Sequence, residues 1–161
     1  MYSQPVSTYP DDCPVAATLD AVGDRWTLLI VRDLLRGITR YGDLARSLDP
    51  IAPNLLAGRL RRLEDLGLVT RERYSERPLR ASYALTEQGR ALAPIIVTLG
   101  RFGIDHLGRA EPDYLAAHIG CGGRVPPTAW RCLTCGDDVT AGDLELLPPS
   151  RIAAPAGAAS Q

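Results

Sequence analysis

From residue 13 to residue 67 apolar side chains return every three or four positions, in four stretches separated by glycine, proline or polar breaks. That period lines one face of a helix. CPVAATLDAV (13–22) predicts a short helix with Pro14 at its first position, where a missing N–H costs nothing. DRWTLLIVRDLLRG (24–37) predicts a second, opened by Asp24 as N-cap and closed by Gly37, with Trp26, Leu29, Ile30 and Leu34 facing inward. YGDLARSLD (41–49) predicts a third, with Leu44, Ala45 and Leu48 inward; it stops at Asp49-Pro50, because the residue before a proline avoids the helical region. A short turn leads to PNLLAGRLRRLEDLG (53–67), a fourth helix with Pro53 at its start and Leu56, Leu60 and Leu63 as its core stripe. Its opposite side carries Asn54, Ala57, Gly58, Arg61, Arg62 and Asp65, with Arg59 on a flank.

The period then changes to two. Val69, Arg71 and Arg73 alternate with Thr70, Glu72 and Tyr74, and Ala81, Tyr83 and Leu85 alternate on the return. With SERP (75–78) as the turn, this predicts an arginine-rich β-hairpin. Thr86 can cap a long apolar helix over 86–109, which Pro94 either kinks or truly begins. Two helices joined by a short turn, followed by a hairpin and a long helix, predict a mainly α fold with a β-hairpin wing (α+β), a winged helix-turn-helix.

Charge sharpens this picture. Formal net charge is only −1 over 161 residues, yet every basic residue is arginine, and residues 36–80 hold ten arginines against six acids. A basic middle in an acidic chain is a candidate surface for an anionic ligand such as nucleic acid. The opening MYSQPVSTYPDD lacks the basic and apolar regions of a signal peptide, and the apolar run ALAPIIVTLG (91–100) is too short to span a bilayer. A cytoplasmic protein with no membrane partner is therefore expected.

CPVAATLDAVGDRWTLLIVRDLLRG, RYGDLARSL, IAPNLLAGRLRRLEDLGLV and YSERPLRASYALTEQGRAL, taken in that order, closely resemble the HxlR family of winged helix-turn-helix transcriptional regulators over about residues 13–109. The resemblance implies a homodimer on a two-fold related site in double-stranded DNA, joined through the first helix and the long helix after the wing. Carried over by position, the recognition-helix candidates are Asn54, Leu55, Ala57, Gly58, Arg59, Arg61 and Arg62. Arg59 is the foremost of these for a bidentate contact to guanine or phosphate. Wing candidates are Arg71, Arg73, Ser75, Arg77 and Arg80, and Arg40 and Tyr41 are candidates for the DNA backbone. Ala52 and Ala57 stand where many members carry hydroxyl residues, so the target sequence does not transfer from a relative. Gly58 in mid-helix costs about 1 kcal/mol, which either permits close approach to DNA or reflects a tolerant surface.

Cysteine adds candidate chemistry. Cys13 stands before Pro14 at a helix start, where the amide dipoles favour a thiolate, while Asp11 and Asp12 oppose it. The family includes members that sense oxidants or electrophiles through a cysteine here, which makes Cys13 a redox-sensing candidate beside a packed interface cysteine. In HIGCGGRVPPTAWRCLTCGD (118–137), His118 and Cys121 form one short pair and Cys132 and Cys135 another. Two such pairs can converge on a tetrahedral ion, and thiolate with imidazole selects zinc. A dithiol pair at 132/135, or unrelated residues, are the competing readings. A closed Cys₃His site is structural, not catalytic.

The resulting organisation is an N-terminal arm (1–12), a DNA-binding and dimerisation domain (13–110), a small zinc-ribbon-like module (111–147) and a disordered tail (148–161) rich in Pro, Ala and Gly. The function expected is sequence-specific transcriptional regulation, as a repressor, open to a redox or small-molecule effector. No nucleophile–base–orienter set points to an enzyme. The alternative is a zinc-containing interaction module that uses its winged helix to contact proteins.

Overall fold

The computed structural model describes residues 13–76, 79–112, 114, 116–117, 120–123, 130–139 and 141–144. The N-terminal arm and the tail lie outside them. The chain divides into two compact units between Ile96 and Val97.

The first unit opens with α1 (Pro14–Val22), α2 (Arg25–Leu35), α3 (Tyr41–Ser47) and α4 (Pro53–Asp65). Each begins and ends where local chemistry dictates. Pro14 and Pro53 occupy first turns, and Asp24 caps α2 by accepting the amides of Trp26 and Thr27, each at 3.1 Å. Gly37, at φ 84°, takes the left-handed turn after α2 that a side chain would resist. The helices are amphipathic in the predicted sense. Ile30, Val31 and Leu34 of α2, Leu44 of α3, and Leu56, Leu60 and Leu63 of α4 are buried together. Burying each leucine contributes about 1.5–3 kcal/mol, so this stripe is what holds α4 in place. Asp33 is buried with them, its charge met by Arg32 at 2.7 Å and Arg36 at 3.4 Å.

β1 (Val69–Glu76) and β2 (Leu79–Leu85) form an antiparallel hairpin, registered from Val69↔Leu85 to Glu76↔Leu79 with a shift between Arg73 and Ser75. Val69, Ala81, Tyr83 and Leu85 close the core from below α4. The strands run further than the sequence suggests: Ser75 and Glu76 belong to β1, and residues 77–78 lie outside the described set. The segment before α3 adds to the hairpin, with Tyr83 N–H donating to Thr39 O at 2.8 Å and a bridge from Arg40 to Ser82.

The single long helix expected over 86–109 is two. Thr86 caps α5 (Glu87–Arg90) through the Gly89 amide at 3.0 Å, and α6 (Ala93–Leu107) follows after a break. Pro94 therefore stands in the first turn of α6, where it fits, and not at a kink. Leu92, at the break, is buried in the core. Gly89 is required by contact: a Cβ there would sit 2.0 Å from the Leu68 carbonyl oxygen.

In the second unit, β3 (Trp130–Arg131) and β4 (Asp138–Val139) make a small antiparallel hairpin, followed by a 3₁₀ turn at Ala141–Asp143. No residue described after Ile96 is buried.

Candidate nucleic-acid interface

The outward side of α4 follows from its inward side. With Leu56, Leu60 and Leu63 in the core, Asn54, Gly58, Arg61 and Asp65, spaced by four, three and four residues, fall on the opposite face. Asn54, Arg61 and Asp65 are exposed, and a Cβ at Gly58 would meet nothing within 4 Å. Asn54 Oδ1 accepts the Leu55 amide at 2.9 Å, which fixes its side chain at the mouth of the helix. Leu55 and Ala57 are half-buried beside it.

Two of the predicted recognition residues are engaged by the protein itself. Arg59 Nε lies 3.1 Å from Asp24 Oδ1 as an ion pair, off the line of a hydrogen bond, and is buried there. The same carboxylate caps α2 and accepts the Thr27 hydroxyl. Arg62 turns the other way, donating to Asp20 O at 2.6 Å and Ala21 O at 3.3 Å at the end of α1. Arg59 and Arg62 thus tie α4 to α2 and to α1. Tyr41 adds a third tie, its hydroxyl donating to Pro53 O at 2.8 Å, which sets α3 against the start of α4. The tie that sequence reasoning missed is Asp24, seen there only as a cap. Its signal was the placing of Arg59 on the flank of α4 and not on its outward face.

Around this face stand further arginines. Arg40 is exposed just before α3, and Arg71 is exposed on β1 opposite Tyr83. Burial raises the Tyr83 phenol above its ordinary value, although the Arg71 charge opposes that rise. Arg73 and Ser75 stand on β1 and Arg80 on β2 opposite Ser75, while Arg77 lies outside the described residues.

Cys13 is half-buried at the N-cap of α1, where its side chain makes no capping hydrogen bond. None of the four cysteines, all of them described, is in a disulfide. Cys132 and Cys135 face one another in the turn between β3 and β4. Backbone amides of Cys135 and Thr134, then the Cys135 thiol, hydrogen-bond to Cys132 and hold its thiol below the ordinary range. For Cys135, the Asp137 amide favours the thiolate, but hydrogen bonds shared with Cys132 and the Asp137 carboxyl outweigh it and push the thiol up. Cys121 is exposed in its own turn, and His118 lies outside the described residues. Among the described residues no three His, Cys, Asp or Glu side chains are gathered closely enough to hold a metal. Nor is any described helix long and apolar enough to cross a membrane.

With this geometry in place, likeness to known proteins is specific. The model of the HxlR-like helix-turn-helix family matches residues 21–111. An HTH-type transcriptional regulator of Mycobacterium tuberculosis (strain CDC 1551 / Oshkosh) is 44% identical over 128 residues, spanning 79% of this chain and 80% of its own. The HTH-type regulator YybR of Bacillus subtilis (strain 168) is 35% identical over 103 residues, 63% of this chain and 82% of its own. Among solved structures, the transcription factor PA1607 matches with a TM-score of 0.69 at 36% identity, covering 85% of this chain and 95% of that one. The redox regulator HypR in its oxidised form matches with a TM-score of 0.54 at 33% identity, covering 62% of this chain and all, 100%, of that one. The braced helix-turn-helix, its wing and these relatives together make the chain a member of the HxlR-like helix-turn-helix family of transcriptional regulators.

Proposed function

We propose that the chain is a sequence-specific DNA-binding repressor that works as a homodimer. The observation that carries this reading is the outward face of α4. Asn54 and Arg61 are exposed and the space beside Gly58 is open, while Arg59, Arg62 and Tyr41 brace the helix from behind. A helix held by its neighbours presents its polar face without first having to be ordered, which favours tight and selective binding. Asn54 suits the N6/N7 edge of adenine and Arg61 the O6/N7 edge of guanine or a phosphate. Arg40 and Arg71 flank that face and serve the DNA backbone, which sets register and carries no base information.

The homodimer is supported by apolar faces left open on the single chain. On α1, Val15 and Leu19 are 66% and 60% exposed, and Ile95, Leu99 and Phe102 form an exposed stripe along α6. Exposed apolar stripes of this kind mark contact sites. Such a dimer carries two copies of α4 to half-sites about one helical turn, roughly 34–36 Å, apart or a multiple of it. Regulation through Cys13 is the finer part of the proposal, supported by its place at the start of α1 and by the likeness to the redox regulator HypR.

Sequencing genomic fragments retained by the purified protein tests the reading. Two-fold related sites should be enriched, and their affinity should fall as salt rises. Absence of enrichment, or salt-insensitive retention, would contradict it. For Cys13, oxidant should release DNA from the wild-type protein and not from Cys13→Ser; equal release removes the redox part alone.

A further inference from the structure

The second unit has a problem of stability that its own residues point to a way of solving. Of its described residues none is buried, and Trp130 and Leu133 are 41% and 85% exposed. Among these described residues there is no apolar core that would order them, and small scaffolds of that kind rely on a staple. Yet the turn between β3 and β4 is closely specified. Cys132 N–H donates to Asp137 O at 2.8 Å, Gly136 N–H donates to Cys132 O at 2.9 Å, and Gly136 takes φ 77°. The turn curls the chain around the Cys132 and Cys135 sulfurs and aims backbone amides at both of them.

The turn at Cys121 shares the glycine of this one. Cys121, like Cys135, is followed by a glycine in the left-handed region, Gly122 at φ 69°. Two residues on, the backbone again closes over the sulfur: a Cβ on Gly123 would lie 3.3 Å from Cys121 Sγ. Tetrahedral thiolate sites use paired Cys–Gly turns of the same hand, and this unit holds two such turns.

We propose that Cys132 and Cys135 form the ready-made half of a structural site for one tetrahedral, thiophilic divalent ion, and that Cys121 closes on it as the third thiolate. Soft sulfur donors favour zinc over magnesium or calcium. Cys13, in the other unit, takes no part. The role is a staple: the ion supplies the second unit with the cross-link that its described side chains do not supply by packing.

The test uses the full chain, purified under reducing conditions and offered zinc or cobalt. Wild-type protein and Cys13→Ser should each retain one zinc per chain, and Cys132→Ser and Cys135→Ser should lose it. With cobalt, the sulfur-to-metal absorption should fall by about one third in Cys121→Ser, as three thiolates become two. Trypsin gives a readout on unmutated protein: zinc should protect the bond after Arg131, next to Cys132, and a chelator should expose it. Failure of the reduced wild-type chain to retain zinc would overturn the proposal. So would a cobalt spectrum unchanged by Cys121→Ser, or cleavage at Arg131 indifferent to zinc. DNA binding is not read in any of these arms, so their failure leaves the proposed regulatory function standing.

Discussion

Within the first unit, apolar side chains from Val22 to Leu92 are buried around α2 and α4, and polar ties finish the work of positioning. Past Ile96, the described residues bury nothing, and the turn between β3 and β4 is closed by directed backbone hydrogen bonds. Among the described residues, the first unit is therefore held by area removed from water, while those of the second show directed contacts at a few atoms. Removing one methylene cluster should hurt the first gravely, and removing one ion should hurt only the second.

The largest effect expected is on the core. Leu56→Ala, at a side chain with no exposure, should cost about 2–5 kcal/mol and lower the thermal midpoint by many degrees, read by circular dichroism. A cost under about 1 kcal/mol would mean that the stripe of α4 does not hold the fold. Next comes the hub between α2 and α4. Asp24→Ala removes the cap of α2 and the partner of Arg59, and should cost about 1–2 kcal/mol in chemical denaturation. Asp24→Asn, which can still accept the helix amides, should recover part of that loss.

Gly58→Ala runs in the opposite direction. The added methyl meets no neighbour, so helix propensity should stabilise the protein by up to about 1 kcal/mol. If DNA affinity falls in the same variant, Gly58 is there to let the groove approach. The smallest effect expected on the first unit is that of metal removal. Chelation should leave the melting of the α1–α4 core within about 0.5 kcal/mol of its starting value, as changes remote from a core do. A collapse of both units together would erase the distinction between them.

How much of this was legible in the sequence varies with the range of the interaction. As caps and helix ends, Asp24, Gly37 and Pro53 act within a few residues of themselves, and each stands at the helix boundary read from the pattern. The leucines of α4 were legible for the same reason, since their spacing alone selects a face. The division of the helix after the wing was legible only in part: a start at Pro94 was one of two readings, and the choice between it and a kink is made by tertiary packing, with Leu92 buried in the core at the break. Arginine orientation was least legible. Arg59, Arg61 and Arg62 look alike in a row, but a guanidinium reaches far enough for a carboxylate on α2 or a carbonyl on α1 to claim it. In the second unit, the cysteine spacing pointed to a metal, and only the Cys132–Cys135 pair is seen together among the described residues.

The central claim is that α4 meets DNA with its outward face while Arg59 serves the fold. Binding of an enriched genomic fragment to wild type, Arg61→Ala and Arg59→Ala, each titrated over a range of salt with its thermal midpoint recorded, tests it directly. Arg61→Ala should lose about 1–3 kcal/mol of affinity at an unchanged midpoint, from a lost base contact or, with a salt slope shallower by about one, a lost phosphate contact. Arg59→Ala should show its main loss in the midpoint. Full affinity in Arg61→Ala, with the loss appearing in Arg59→Ala at an unchanged midpoint, would contradict the account.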